Sequence, residues 1–398
     1  MSHTSGRKRV VAVALSAFPL AAASVFSPQA AALPTADDGS GLSGVIGETL
    51  SLPTGSDAGN PGVRVPTSYR PLHTGLDNPR QISLTTNGGL VVAEAGHGAD
   101  RDDRCVGEGG GTVCVGFTGS VSVYRDGRRR EVMGGLISGA GEDGSFAIGA
   151  DGAGRRPGGG PYLAAMTYAP PRFLPPGVKS RQLGKLLVAQ PGGPKIVRAN
   201  ITAFEKNNDP DGEGFDSNPY SVLGLGNQIL VADAAGDSIV RVKDGVTSLW
   251  AALPDPGPRI DPVPTSISRG GNGHIYVGTL WSLRRGKARV LEYNRAGNLL
   301  HQYRGFTTIA GVAALADGTL YVSELFGGCG FDQIPQCFPG RVVEANTGGD
   351  GRSYMRIPFP AGIVARGDRV QAVAWSVAPA TGFGGDPNSS GAVWRLRF

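Results

Sequence analysis

The sequence is short of charge. Only 18% of its 398 residues are Asp, Glu, Lys or Arg, and mean hydropathy lies near zero, which excludes both a disordered polyelectrolyte and a polytopic membrane protein. Cysteine is scarce as well. There are four, with no C-x-x-C and no His at zinc-ligand spacing from any of them, so a structural zinc site has no support. No G-x-S-x-G occurs, and His73, His97, His274 and His301 have no Ser or Cys partner at a recognisable spacing, so nucleophilic catalysis has none either. The glycine-rich runs lack the GK[ST] ending of a phosphate loop. What the chain does have is 64 Gly, 29 Pro and 40% hydrophobic residues. That is ample apolar content for a core, punctuated by turn formers.

The start of the chain predicts export. Arg7, Lys8 and Arg9 precede an apolar run from Val10 to Val25 and the small residues Ala30, Ala31 and Ala32, the order of a secretory signal peptide over 1–32. A membrane anchor is the competing reading, but the run is shorter than about 18 residues and holds Pro19. Three of the 38 basic residues and none of the 33 acids fall in this segment, leaving 35 against 33, a net charge of +2. No nucleic-acid partner is expected, because the one basic run, Arg128 to Arg130, reads as a solvated strand or turn. The four Cys form two local pairs, Cys105 with Cys114 and Cys329 with Cys337. In an exported chain they read as disulfides, local closure being the simplest connectivity. Residues 33–62, rich in Gly, Ser, Asp and Thr, read as a flexible leader.

One phrase repeats through the rest: a Gly or Asn turn, an apolar couplet ending in Val, a small residue, then often an acid. It occurs as GGLVVAEAG at 88–96, GKLLVAQPG at 184–192, NQILVADAAG at 227–236, GHIYVGTL at 273–280 and GTLYVSELFG at 318–327. Val188, Val231, Val277 and Val322 recur at about 45-residue intervals. A strand-like lead-in precedes each copy, and a third strand with a hairpin turn follows. Four short strands per 45 residues are the footprint of a β-propeller blade.

Six blades are predicted, over 78–137, 160–206, 218–255, 263–306, 307–359 and 360–398. The 96–117 and 138–160 stretches read as insertions, and 200–206 as either the outer strand of the second blade or a short helix. The last blade ends after GAVWRLRF without a fourth strand, while 65–76 has no blade of its own. Pairing these two segments closes the ring and removes its unpaired edges. The fold class is thus all-β, a six-bladed β-propeller over 63–398 with an N-terminal strand closing the last blade.

VADAAGDSIVRV at 231–242 looks like an NHL-type repeat. Together with GLDNPR at 75–80, CVGFTGSV at 114–121, DSNPYSVL at 216–223 and VPTSI at 263–267, it makes the whole mature chain resemble the ScyD/ScyE family of exported six-bladed propellers. The resemblance implies a secreted ligand- or protein-binding scaffold and brings no catalytic residues with it. The alternative is a metal-dependent hydrolase of the SMP-30-like lactonase type, whose central divalent ion is held by carboxylates and Asn near the starts of inner strands. Here those starts fall near Asn78, Tyr162, Asn218, Thr265, Ile309 and Ala361. The ligand-binding candidates are accordingly Asn78, Arg80, Tyr162, Asn218, Tyr220 and Thr265. Two Asn without a carboxylate hold a hard cation poorly, and Asn also suits a turn before Pro.

Two further features carry expectations. Asp209, Asp211, Glu213 and Asp216 form the densest oxygen cluster and match the first half of a calcium loop, but Tyr220 stands where a bidentate Glu belongs; an acidic turn is the bland reading. Glu94, Asp233 and Glu324 end second strands, with Gln190 and Thr279 at the equivalent places, and are expected to accept backbone N–H groups of the adjoining loop. The loops 96–117 and 326–339, each bearing a Cys pair, with 138–160 beside them, should decorate one face. Trp281, Phe326, Phe331 and Phe338 would be their contact aromatics. A carboxylate cluster in the central funnel would favour an enzyme; an apolar or aromatic mouth would favour binding.

Overall fold

The computed structural model describes residues 68–99, 104–108, 111–254, 257, 260–327, 340–346 and 352–398. The segments predicted as signal peptide and leader, the predicted Cys329–Cys337 pair, Phe331 and Phe338 lie outside the described residues.

Six antiparallel sheets form the ring. From the inside outwards the first blade holds Pro79–Leu84, Leu90–Glu94, Gly111–Arg125 and Arg128–Ala140; the second Ala150–Arg155, Tyr162–Met166, Lys185–Ala189 and Lys195–Asn200. The third holds Pro219–Gly224, Gln228–Asp233, Ser238–Lys243 and Val246–Ala252; the fourth Pro264–Arg269, Ile275–Thr279, Ala288–Tyr293 and Leu299–Phe306. The fifth holds Ile309–Ala314, Thr319–Glu324, Arg341–Asn346 and Arg352–Arg356; the sixth Ile363–Arg366, Arg369–Ala374, Gly391–Arg397 and, outermost, Ser68–Leu76. Each first strand touches the first strand of the next blade, and the sixth touches the first. That cyclic contact makes a closed propeller about one axis.

The predicted closure is present. Ser68–Leu76 pairs antiparallel with Gly391–Arg397, from Ser68 opposite Arg397 to Leu76 opposite Gly391. The repeating Val phrase forms the second strands of the first, third, fourth and fifth blades, buried end to end in Leu90–Glu94 and Ile275–Thr279; its copy at 184–192 is instead the third strand of the second blade, Lys185–Ala189. Both faces of such a strand pack on neighbouring blades, which is why it reads as an unbroken apolar run rather than an alternation. The hydrophobic clusters accordingly lie between blades; one joins Leu163 and Val188 of the second to Val222 and Val231 of the third. The blades are also stitched by side chains. Ser221 Oγ accepts from Ile267 N at 3.2 Å, and Ser266 Oγ accepts from Val312 N at 3.1 Å, one blade on.

The stretch 138–160 is not an insertion. It contains the end of the first blade's outer strand and the whole inner strand of the second, Ala150–Arg155, so that blade begins ten residues earlier than predicted and Tyr162 moves to its second strand. The sequence ADGAGR has neither β-branched nor aromatic residues, the usual marks of a strand. Packing explains the composition: a Cβ on Gly152 would lie 2.9 Å from Ala165 Cβ and 3.0 Å from the third blade's backbone. At 200–206 the helix reading holds, and the outer strand comes just before it. Lys195–Asn200 is the outer strand, and Asn200 then caps the helix Ile201–Asn208, its Oδ1 accepting from Ala203 N at 3.0 Å.

Candidate functional site

The inner strands of the first five blades share one irregularity, a break in register one residue after they begin. In the second to fifth blades the residue left out of the ladder is Asp151, Tyr220, Thr265 and Ala310. In the first blade the break between Pro79 and Ile82 contains Arg80 and Gln81. A bulge re-aims the side chain it carries. Here it produces an asymmetric set of buried groups: charged and polar from the first four blades, methyl groups from the fifth and from Ala361 of the sixth.

These groups fill the axis. Gln81 Nε2 donates to Thr265 O at 3.0 Å and Ala310 O at 2.7 Å, joining the first blade to the fourth and fifth. Arg80 Nη1 donates to Ser376 O at 3.0 Å and Nη2 to Ala147 O, while its Nε lies 3.7 Å from Asp151 Oδ1. Burial pushes the Asp151 carboxyl up to about 7, against the opposing pull of Arg80 and a hydrogen bond with Thr167. Burial likewise pushes the Tyr220 hydroxyl up to about 12, with Asp151 adding to the rise and Arg80 opposing it. The carbonyls that hold Arg80 adjoin an aromatic cluster: Phe146, Phe359, Trp375 and Phe383 pack with ring centroids 5.9–6.2 Å apart.

Of the six predicted ligand-binding residues, the structure gathers Arg80, Tyr220 and Thr265 at the bulges. Asn218 stands beside them, its Oδ1 accepting from Thr167 Oγ1 at 2.8 Å. Asn78 is a pin. It takes a left-handed φ of 48°, which Asn tolerates better than most residues. Its side chain donates to Gly96 O and Gly144 O at 2.8 Å and accepts from Ala147 N at 3.1 Å. Tyr162 stands apart on its second strand, bonded to Arg130 at 3.1 Å with the Arg155 guanidinium over its ring. Asp151, the one carboxylate at the axis among the described residues, lies on a strand whose sequence reads as an insertion. One carboxylate facing a guanidinium does not fit a hard divalent cation, which needs several charged or carbonyl oxygens.

The acids that end second strands share a structural role. Glu94 accepts from Asp77 N at 3.2 Å, Asp233 from Asn218 N at 2.5 Å and Glu324 from Thr307 N at 2.9 Å. These donors lie 15 to 17 residues earlier, in the lead-in to the same blade's inner strand; Asp233 also accepts from Gly236 N in the loop that follows, as expected. Arg129 and Arg341 neutralise Glu94 and Glu324 at 2.8 and 2.6 Å.

At the predicted calcium loop, carboxylate oxygens of Asp209 and Asp211 come within 4.8 Å of each other and of Glu205 on the preceding helix; Glu213 and Asp216 are not in this group. The aspartates also serve their own turn: Asp209 accepts from Gly214 N and Asp211 from Glu213 N, both at 2.9 Å, and Asp216 accepts from Ser217 N at 3.0 Å. A self-bonded acidic turn needs no ion, so melting curves in 1 mM-scale calcium and in chelator should superimpose; a rise of several degrees in calcium would reassign the loop to a cation.

Strand alternation puts the connections between second and third strands, and those between blades, on one face. There the Cys105–Cys114 disulfide staples a hairpin arm in which Cys105–Glu108 pairs with the start of Gly111–Arg125. The expected contact aromatics Trp281 and Phe326 are buried, Trp281 beneath the Arg289 guanidinium at 4.0 Å. Among the described residues the exposed ones are Phe117 on the arm, 45% accessible, and Phe215 beside the acidic turn, 47% accessible. Phe215 meets Tyr168 edge-on at 5.8 Å. Among the described residues no helix is long and apolar enough to cross a membrane.

No family model and no curated protein matches this chain. Among solved structures it is similar to a regucalcin from Agrobacterium tumefaciens described as a calcium-binding protein, at 12% identity and a TM-score of 0.48, over 84% of this chain and 96% of that one. It is also similar to a putative gluconolactonase, at 12% identity and 0.46 over 84% and 93%, and to a chain of a nidogen/laminin complex, at 13% and 0.43 over 66% and 85%.

Proposed function

We propose that this protein is a secreted binding scaffold of the ScyD/ScyE type, which engages an extracellular protein or small molecule through its loop face. One observation carries the reading. The axis is occupied by Arg80 and Gln81, whose side chains bond across blades, while Phe117 and Phe215 stand exposed on the face above. Exposed aromatics on loops held by a rigid ring are the ordinary make-up of a binding surface.

A hydrolase is the second reading, favoured by Asp151. A carboxyl pushed up to about 7 beside Tyr220 is tuned for acid–base work at neutral pH. Two measurements separate the readings. Phe117→Ser with Phe215→Ser should release the protein from the extracellular fraction that retains it, at unchanged melting temperature. Incubation with δ- and γ-lactones in calcium, manganese or zinc should give no turnover above the Asp151→Asn variant. Turnover lost in Asp151→Asn but kept in the double Phe variant would overturn the scaffold in favour of the hydrolase.

A further inference from the structure

The ring closure builds a second feature at the end of the sixth blade away from the loop face. Arg70 and Arg395 stand directly opposite each other in the register that joins the two ends of the chain, with Arg397 opposite Ser68. With Tyr69 they line a concavity of ≈ 310 Å³. Tyr69 is held in place by stacking on Trp394, centroids 4.3 Å apart and planes 13° from parallel. None of the three arginines has a hydrogen bond or ion pair among the described residues, and Arg395 Nε is buried without a partner. A second like-charged pair, Arg366 opposite Arg369, closes the hairpin of the same blade around Asp368.

This arrangement is unfavourable for the protein alone. Like charges directly opposite on antiparallel strands destabilise the pair, and a buried donor without an acceptor loses the hydration it had in the unfolded chain. Elsewhere in the molecule the equivalent cations are used, as when Arg129 and Arg341 neutralise buried glutamates. Guanidinium groups present paired donors matched to the oxygens of a phosphate, and several converging on one concavity favour a multivalent anion over a single charge.

The geometry points to an anion site at Arg70, Arg395 and Arg397 that takes a compact multivalent phosphate, a di- or triphosphate group. The site exists only when the ring is closed, because its arginines come from opposite ends of the chain. It is independent of the loop face and of the scaffold reading.

The test uses inorganic tripolyphosphate on the full mature chain, by calorimetry and thermal shift, with orthophosphate as the weak comparator. Tripolyphosphate should bind with one-to-one stoichiometry and raise the melting temperature. Arg70→Ser and Arg395→Ser should each weaken it at least tenfold, while Arg198→Ser, which removes an exposed charge from the second blade, should not. Without anion the first two variants should melt no lower than the parent, since they relieve repulsion. Equal weakening by all three substitutions, orthophosphate binding as tightly as tripolyphosphate, or no binding at all would each overturn the site.

Discussion

Removing Ser68–Leu76 is expected to abolish cooperative unfolding or to lower stability by about 5 kcal/mol or more. The strand supplies the outer ladder of the sixth blade. Its loss would uncover Val393 and Trp394, now 0% and 7% accessible, and would discard Leu76, which is fully buried against Val92 and Val373. Large apolar side chains contribute about 1.5–3 kcal/mol each when fully buried, and a domain has only about 5–15 kcal/mol in total. An open ring would also expose the edge of Gly391–Arg397 as a template for association, so the truncated chain should aggregate at concentrations where the parent stays monodisperse. Urea unfolding of both forms, with the transition slope as the measure of cooperativity, decides it. A truncated protein with an unchanged midpoint would show that the sheet of Ile363–Arg366, Arg369–Ala374 and Gly391–Arg397 closes the ring unaided.

The same closure shows what a linear sequence conveys. The blade number was legible because a strand inside the blade must be apolar on both faces, so GGLVVAEAG and its copies repeat at a readable interval, although the copy at 184–192 is a third strand where the others are second. The closing strand was legible by subtraction, since the last blade lacked a fourth strand. Ala150–Arg155 was not, because close packing against Ala165 and the next blade selects glycine and alanine where a strand usually shows Val or Ile. Asp151 is hidden with it, and the sequence alone shows no carboxylate at the axis. The arginine site left no local trace at all: Arg70 and Arg395 become neighbours only through topology. The repeated acids hold backbone N–H groups as expected: Asp233 takes one from the loop after it, at Gly236, and Glu94, Asp233 and Glu324 each take one from the lead-in to the inner strand, a choice set by the fold of each blade. Trp281 illustrates the reverse error. Its position in a connecting loop suggested exposure, whereas left-handed backbone through Trp281, Ser282 and Leu283 turns the indole inward.

Acid should stabilise this protein before it destabilises it, and Arg80 should be the costliest single side chain at the axis. In the unfolded chain Asp151 titrates near 3.8, and in the ring at about 7. Between those values the native state holds a proton that the unfolded state has released, so stability falls as pH rises through this window and is highest below it. Asp233, pushed up to about 6 by burial, acts in the same direction. The melting temperature should therefore climb from pH 8 to pH 5, by the equivalent of about 2–4 kcal/mol, and Asp151→Asn should flatten the climb. Below about pH 4 the order reverses, because Asp77 and Glu292, which burial alone would raise, are held below their ordinary values by hydrogen bonds, with His97 and Ala380 for the first and with Tyr303, His274 and Tyr276 for the second; protonating them removes stabilisation. Arg80→Met leaves Ser376 O and Ala147 O without their donor and Asp151 without its counter-charge. The expected cost at pH 8 is about 3–5 kcal/mol. At pH 5 Asp151 is protonated and only the two carbonyls remain unpaired, so the cost should shrink. A double-mutant cycle of Arg80→Met with Asp151→Asn isolates that difference: coupling of about 1–3 kcal/mol at pH 8 that fades at pH 5. Coupling equal at both values would mean that Arg80 acts through shape and hydrogen bonding alone, and that the axial carboxylate owes its raised value to burial without restraint from its neighbour.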